Sequence, residues 1–191
     1  MDAVVHLAGR AHVLRDTDPD PEAVYWAVNV DGTVRLAQEA ARAGVRRLVF
    51  VSTVKVNGEA THDRPFRASD APRPEDAYAR SKYEAEQALR ALERETGLEV
   101  VVVRPPMVYG PGVKGNFPRL VRWVRSGLPI PLGAVANRRS IVSVYNLTDL
   151  LATCLRAPAA AGETFLVSDG EDLSTPELIR RIGRAAGCNA R

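Results

Sequence analysis

Only three of the 191 residues are lysine (Lys55, Lys82 and Lys114), so almost all of the positive charge behind a net +3 is arginine. There is no lysine-rich run and no basic patch interleaved with aromatics, which leaves nucleic-acid binding without support. The two cysteines, Cys154 and Cys188, have no partner spacing and read as reduced thiols. The three histidines, His6, His12 and His62, do not join them in metal-ligand spacing, so no metal is expected. No apolar run approaches the length that spans a bilayer, and the first residues carry no signal-peptide pattern. Neither membrane insertion nor secretion is expected, and the setting by default is cytoplasmic. Repeats and low-complexity segments are also absent.

What is present is the balance of a soluble globular chain, 46% hydrophobic and 26% charged. "DAVVHLAG" (2–9), "RRLVFVST" (46–53) and "LEVVVVRPP" (98–106) are short apolar runs and read as buried strands. Between them lie helical stretches at 20–45 and roughly 75–96, stopped by Gly44 and Gly97. Strands apolar on both faces that alternate with helices point to an α/β fold with a parallel sheet between helical layers.

The texture then changes. "MVYGPGVKGN" reads as a Gly/Pro loop, and 116–127 as a short helix that Asn116 could cap. "RRSIVSVYN" (138–146) reads as a strand leading into the helix "LTDLLATCLRA", and 162–169 as another strand. The last helix opens with a capping box, Ser174 with Glu177. One boundary is expected near Pro105, with a sheet domain over 1–105 and a smaller α/β lobe over 106–191. A doubly wound sheet needs more strands than these, and no strand–turn–helix precedes the first. The expectation is therefore a partial sheet, in a chain cut at both ends from a longer protein.

"GPGVKG" (110–115) matches G-x-G-x-x-G to the letter. It contains Pro111, and the segment about twenty residues on, "GAVANRR", has no acid to hold a ribose, so a loop is the expected reading. "YARSK" (78–82) carries more chemistry. Tyr78 and Lys82, four apart on a helix, lie on one face. A free phenol is a poor base at neutral pH, and a nearby ammonium lowers its pKa. A phenolate so tuned can take a proton from a sugar hydroxyl. Ser52 and Thr53 end the strand upstream, at the carboxyl edge where open α/β sheets bind ligands, and a threonine hydroxyl there can align the reacting oxygen.

"HLAG" (6–9), "NVDGT" (29–33), "STVKVNG" (52–58), "YARSK" (78–82) and "RPPMVYGPG" (104–112), in this order and spacing, resemble the extended short-chain dehydrogenase/reductase family. Within it the chain looks most like NAD-dependent nucleotide-sugar epimerases of the UDP-glucose 4-epimerase type. The resemblance implies a partial Rossmann domain that binds NAD, part of a C-terminal lobe that binds a UDP-sugar, and a homodimer through the two long helices. It implies catalytic roles for Tyr78, Lys82 and Thr53. Ala8, Gly9, Ser52 and Pro105, with Tyr78 and Lys82, would lie against the cofactor. Thr53, Asn116 and Arg139 would touch substrate, the arginine by bidentate phosphate contact. Asn29 matches an asparagine that braces the active-site strands.

There are departures. The amino-terminal Gly-rich turn is missing, so NAD-dependent activity is expected of the parent protein. Asn146 stands where the family usually has Asp. Asn57 and Met107 stand where Tyr and Asn are common, at positions expected near the substrate. Val54 and Lys55 follow Thr53 where the related dehydratases carry an acidic pair, which argues against dehydration.

Overall fold

In the computed structural model, which describes residues 2–11, 18–61, 63–128 and 131–188, four parallel strands form the main sheet in the order β1-β2-β3-β6. These are β1 (Ala3–His6), β2 (Arg47–Val51), β3 (Glu99–Arg104) and β6 (Thr164–Leu166). His12 and His62 lie outside the described residues. Leu48 pairs across to Val4 and to Val100, and Val103 to Phe165. β3 is buried along almost its whole length, as a central strand covered on both faces must be.

The helical layer begins with α1 (Pro21–Trp26), widens through a π-helical turn at Ala27–Asp31, and continues as α2 (Gly32–Arg42). The continuous helix expected over 20–45 is thus interrupted. α3 (Ala77–Thr96) starts at Asp76, whose side chain accepts from the Ala79 backbone N–H, and ends at Gly97 with φ 75°. Ala37, Leu48, Phe50, Leu89, Val100 and Val102 form the core where α2 and α3 cover the sheet.

Residues β4 (Met107–Tyr109) and β5 (Ile141–Ser143) pair with each other in a separate two-stranded sheet. The expected Gly/Pro loop therefore starts as a strand. α4 (Asn116–Arg125) follows it, α5 (Val144–Arg156) follows β5, and α6 (Thr175–Ala185) closes the described chain. Gly115, not Asn116, is the N-cap of α4. α6 opens as expected, with Ser174 accepting from the Glu177 N–H. Val124, Ile141, Leu173, Leu178 and Ile182 form the core of this part, and Met107 packs against it. Gly110 has φ 129°, and a Cβ there would lie 2.8 Å from Val144 Cγ1, so the turn after β4 admits only glycine.

Two compact units result: Met1–Pro105 with Thr148–Val167, and Pro106–Leu147 with Ser168–Arg191. The first unit takes in Thr148–Val167 as well as the stretch up to Pro105, so the second unit is not one stretch from 106 to 191. Two contacts account for this. β6 adds to the main sheet beside β3. The buried Arg47 guanidinium donates to the carbonyls of Cys154 (2.7 Å) and Ala157 (2.6 Å), capping the end of α5. Among the described residues no helix is long and apolar enough to cross a membrane.

Candidate active site

The first half of the site is the carboxyl end of β2. Ser52 N–H donates to Val103 O (2.7 Å) and Val54 N–H to Pro105 O (3.0 Å), so the strand pairing runs on past β2 and fixes Ser52 and Thr53 beside Pro105. Thr53 is extended (φ −155°, ψ 147°) and caps a short 3₁₀ turn, Val54–Val56, its hydroxyl accepting from the Lys55 N–H at 3.3 Å. Ser52 Oγ is buried and has no hydrogen-bond partner among the described residues.

The second half is the start of α3. Tyr78 lies in its first turn and Lys82 one turn further on. The Lys55 ammonium in the turn after Thr53 bonds Asp76 Oδ2 at 2.6 Å, and Asp76 caps the turn that carries Tyr78, which joins the two halves. The Tyr25 ring stands 6.2 Å from that of Tyr78. Lys82 is only 4% exposed, and its ammonium sits 3.9 Å from the centre of the Phe50 ring, a cation–π contact.

Asn29 fastens this arrangement to the loop after β1. It is fully buried in the π-helical turn, a kind of irregularity frequent at functional sites. Its amide donates to Ser81 Oγ (2.9 Å) and to Arg10 O (3.1 Å) and accepts from Arg10 N–H (2.7 Å). Ala8 and Gly9 are exposed in that loop. A Cβ on Gly9 would lie 3.1 Å from Asn29 Oδ1 and 3.9 Å from Lys82 Nζ, so glycine lets the backbone approach the buried ammonium.

The electrostatics correct one expectation. Lys82 was expected to pull the phenol pKa down, but the Tyr78 phenol is pushed above its ordinary value. Burial is the largest cause, the Asp76 carboxylate adds to it, and Thr53 and the Lys55 charge oppose it. Lys82 is not among the main contributors. Its own pKa falls to about 8 through burial, with Glu86 opposing. His6, bonded through Nε2 to Thr33 Oγ1 (2.8 Å), has a pKa lowered by burial and then by Lys82.

Tyr78, Thr53, Ser52, Lys82, Pro105, Ala8 and Gly9 all belong to the first unit, whereas Asn116 and Arg139 are exposed in the second. Arg139 forms a backbone bridge to Leu173. Asn57 does not line a substrate surface. It is 2% exposed, accepts from Arg104 (3.0 Å) and donates to Arg67 O (2.9 Å). Arg104 is in turn bound to the buried Glu86 carboxylate at 3.0 and 2.5 Å. Asn146 also has a local reason. Its amide donates to Asp169 (2.8 Å), a carboxylate that also accepts from Tyr109 (2.7 Å). An Asp at 146 would set two carboxylates against each other.

Two residues not foreseen as part of the site are Asp76 and Lys55, whose ammonium binds Asp76 Oδ2 at 2.6 Å and Glu59 at 2.7 Å. The capping pattern before Tyr78 was the only local signal for the first.

Comparison with known proteins places this arrangement. The profile of the NAD dependent epimerase/dehydratase family matches residues 1–168. A UDP-glucose 4-epimerase of Vibrio cholerae is 50% identical over 184 residues, 95% of this chain and 56% of that protein. An N-acetyl-alpha-D-glucosaminyl-diphospho-ditrans,octacis-undecaprenol 4-epimerase of Escherichia coli O157:H7 is 30% identical over 95% of this chain and 54% of that protein. Among solved structures, a dTDP-glucose 4,6-dehydratase from Streptomyces venezuelae with NAD bound superposes with a TM-score of 0.83 at 32% identity, over 98% of this chain and 58% of that one. The chain thus spans a little over half the length of each of these relatives.

Proposed function

The chain belongs to the NAD-dependent epimerase/dehydratase family, and from that premise we propose that the whole protein is a nucleotide-sugar epimerase, inverting C4 of a UDP-hexose or UDP-N-acetylhexosamine through a 4-keto sugar. The observation that carries this is the placing of Thr53, at the carboxyl end of β2 in a parallel sheet, beside the first turn of α3, which carries Tyr78 and is tied to the Thr53 turn through Lys55 and Asp76.

The residues present fit NAD. Lys82 offers a buried ammonium that makes no ion pair among the described residues, and Ser52 a buried hydroxyl without a partner. Donors of this kind suit the hydroxyls of a nucleotide ribose. Ala8, Gly9 and Pro105 would lie beside the same cofactor. Bound NAD supplies a hydride acceptor and donor at C4 and, when oxidised, a positive charge.

The chain's own part is proton handling. Thr53 holds the C4 hydroxyl in line with the phenol, and Tyr78 takes its proton as the C4–H bond breaks and returns it when the carbonyl is reduced from the other face. Dehydration would need an acid for the departing hydroxyl. The residues after Thr53 are Val54 and Lys55, and Asp76, half-buried, is held as a carboxylate by the Lys55 contact and the Ala79 N–H. This favours epimerase over dehydratase.

In the proposed complex Asn116 and Arg139 bind the UDP diphosphate. A homodimer through the long helices is supported by the exposed Val28 (43%) and Leu36 (37%) in the first helical stretch. The proposed setting is cytoplasmic, with Cys154 and Cys188 as free thiols. The test is to incubate the whole protein with a panel of UDP-hexoses and UDP-N-acetylhexosamines, with and without NADH. Inverted product without NADH consumption is expected. Stoichiometric loss of NADH with a 4-keto substrate would mark a reductase instead.

A further inference from the structure

We infer that Lys55 and Asp76 are a positioning pair for the proposed reaction, a charged tie that keeps the strand-end Thr53 and the helix-start Tyr78 at one spacing. This rests on the roles proposed above for Thr53 and Tyr78.

Lys55 lies in the turn that Thr53 caps, and its N–H donates to the Thr53 hydroxyl. Its ammonium crosses to Asp76 Oδ2 at 2.6 Å. Asp76 Oδ1 accepts from Ala79 N–H at 2.6 Å and so sets the first turn of α3, which carries Tyr78. One carboxylate thus uses one oxygen to start the helix and the other to hold the strand-end turn. Glu59 takes the same ammonium at 2.7 Å, fixing its direction. The segment that joins Gly58 to Asp76 contains no strand or helix among its described residues; it is fastened to the strand-end turn by Arg73 N–H on Val56 O (2.9 Å) and Asn57 on Arg67 O (2.9 Å), and the Lys55–Asp76 contact adds the direct link from that turn to the start of α3.

The pair also biases the reacting group. Beyond burial, the groups facing the phenol are Asp76 and Tyr25, which raise its pKa, and Thr53 and Lys55, which lower it. Asp76 itself faces Arg80 as well as Lys55. Lys55 therefore offsets a carboxylate that would otherwise hold the phenol protonated.

The experiment measures kcat, KM and the pH at which turnover reaches half its maximum in the whole protein and three variants. Lys55→Met is expected to lower kcat tenfold to a hundredfold, by about what a small misplacement of reacting groups costs, and to move the half-rise to higher pH. Asp76→Asn keeps a good N-cap but drops the charge, so kcat falls and the half-rise moves to lower pH. Lys55→Arg restores most of the rate. Partly exposed ion pairs add little to folding stability, so melting temperatures stay within about 3 °C of the parent. Unchanged kcat in both charge-removing variants, or shifts of the half-rise in the same direction, would overturn the inference. Loss of rate accompanied by a large fall in melting temperature would also overturn it in favour of a purely structural role. A parent protein that turns over no nucleotide sugar would overturn the reading beneath it as well.

Discussion

Tyr78→Phe is expected to cut turnover by about 10²–10⁴-fold, the range that a positioned general acid–base group supplies, while leaving NAD affinity nearly unchanged. The substitution removes one oxygen. The ring keeps its place beside Tyr25, and α3 keeps its Asp76 cap and its buried face. Lys82 and Ser52, the groups proposed to hold the cofactor, make no hydrogen bond to the phenol. What is lost is the hydroxyl proposed to take the substrate proton. Because burial and Asp76 raise the phenol pKa, turnover by the parent should climb with pH as the phenol ionises, and the variant should lack that climb. Initial rates across pH, with cofactor binding followed by fluorescence, decide the matter. An equally active Phe variant would remove Tyr78 from the reaction.

Lys82→Met is expected to have effects of opposite sign on activity and stability. Activity should fall with cofactor affinity, since the ammonium proposed to hold the ribose is gone. The cofactor-free protein should nevertheless become more stable at neutral pH. In the folded chain burial brings the Lys82 pKa to about 8 from 10.5, so holding it charged at pH 7 costs about 3 kcal/mol. The Phe50 ring face returns part of that. Methionine fills similar space without charge. The sign follows from proton counting. Between pH 8 and 10.5 the unfolded chain holds more protons than the folded one, so stability of the parent rises with pH. The advantage of the variant is therefore full below pH 8 and fades towards 10.5. Thermal melts at pH 6.5, 8 and 10 test this, and a variant less stable than the parent at pH 6.5 would contradict it. A stabilising loss of a functional group is the expected mark of strain kept for function.

The alternation of apolar strands and helices was legible because parallel strands buried on both faces leave unbroken apolar runs, as in "EVVVVR". The stop of α3 at Gly97, left-handed in the structure, was legible from glycine's freedom at positive φ, whereas its cap at Asp76 was not read. What was not legible depends on contacts between distant residues. The π-helical turn places Asn29 against Ser81, 52 residues away, and the pattern of apolar residues there still reads as ordinary helix. β6 joins the first unit through pairing with β3, which no local composition marks. Asn57 read as a substrate-facing departure, yet it completes a buried network with Arg104 and Glu86 whose members lie far apart in the chain. The placement of Tyr78 and Lys82 one turn apart in α3 was legible from their spacing. The charges that act on the phenol were not, because Asp76 and Lys55 meet it only after the strand end and the helix start are brought together.

The most direct measurement follows a UDP-hexose carrying deuterium at C4 through one turnover of the whole protein, read by NMR. If Tyr78 moves only the hydroxyl proton while the C4 hydrogen leaves and returns as hydride within one complex, the inverted sugar retains the deuterium at C4 and no free NADH appears. Inverted product with hydrogen from solvent at C4 would contradict that account.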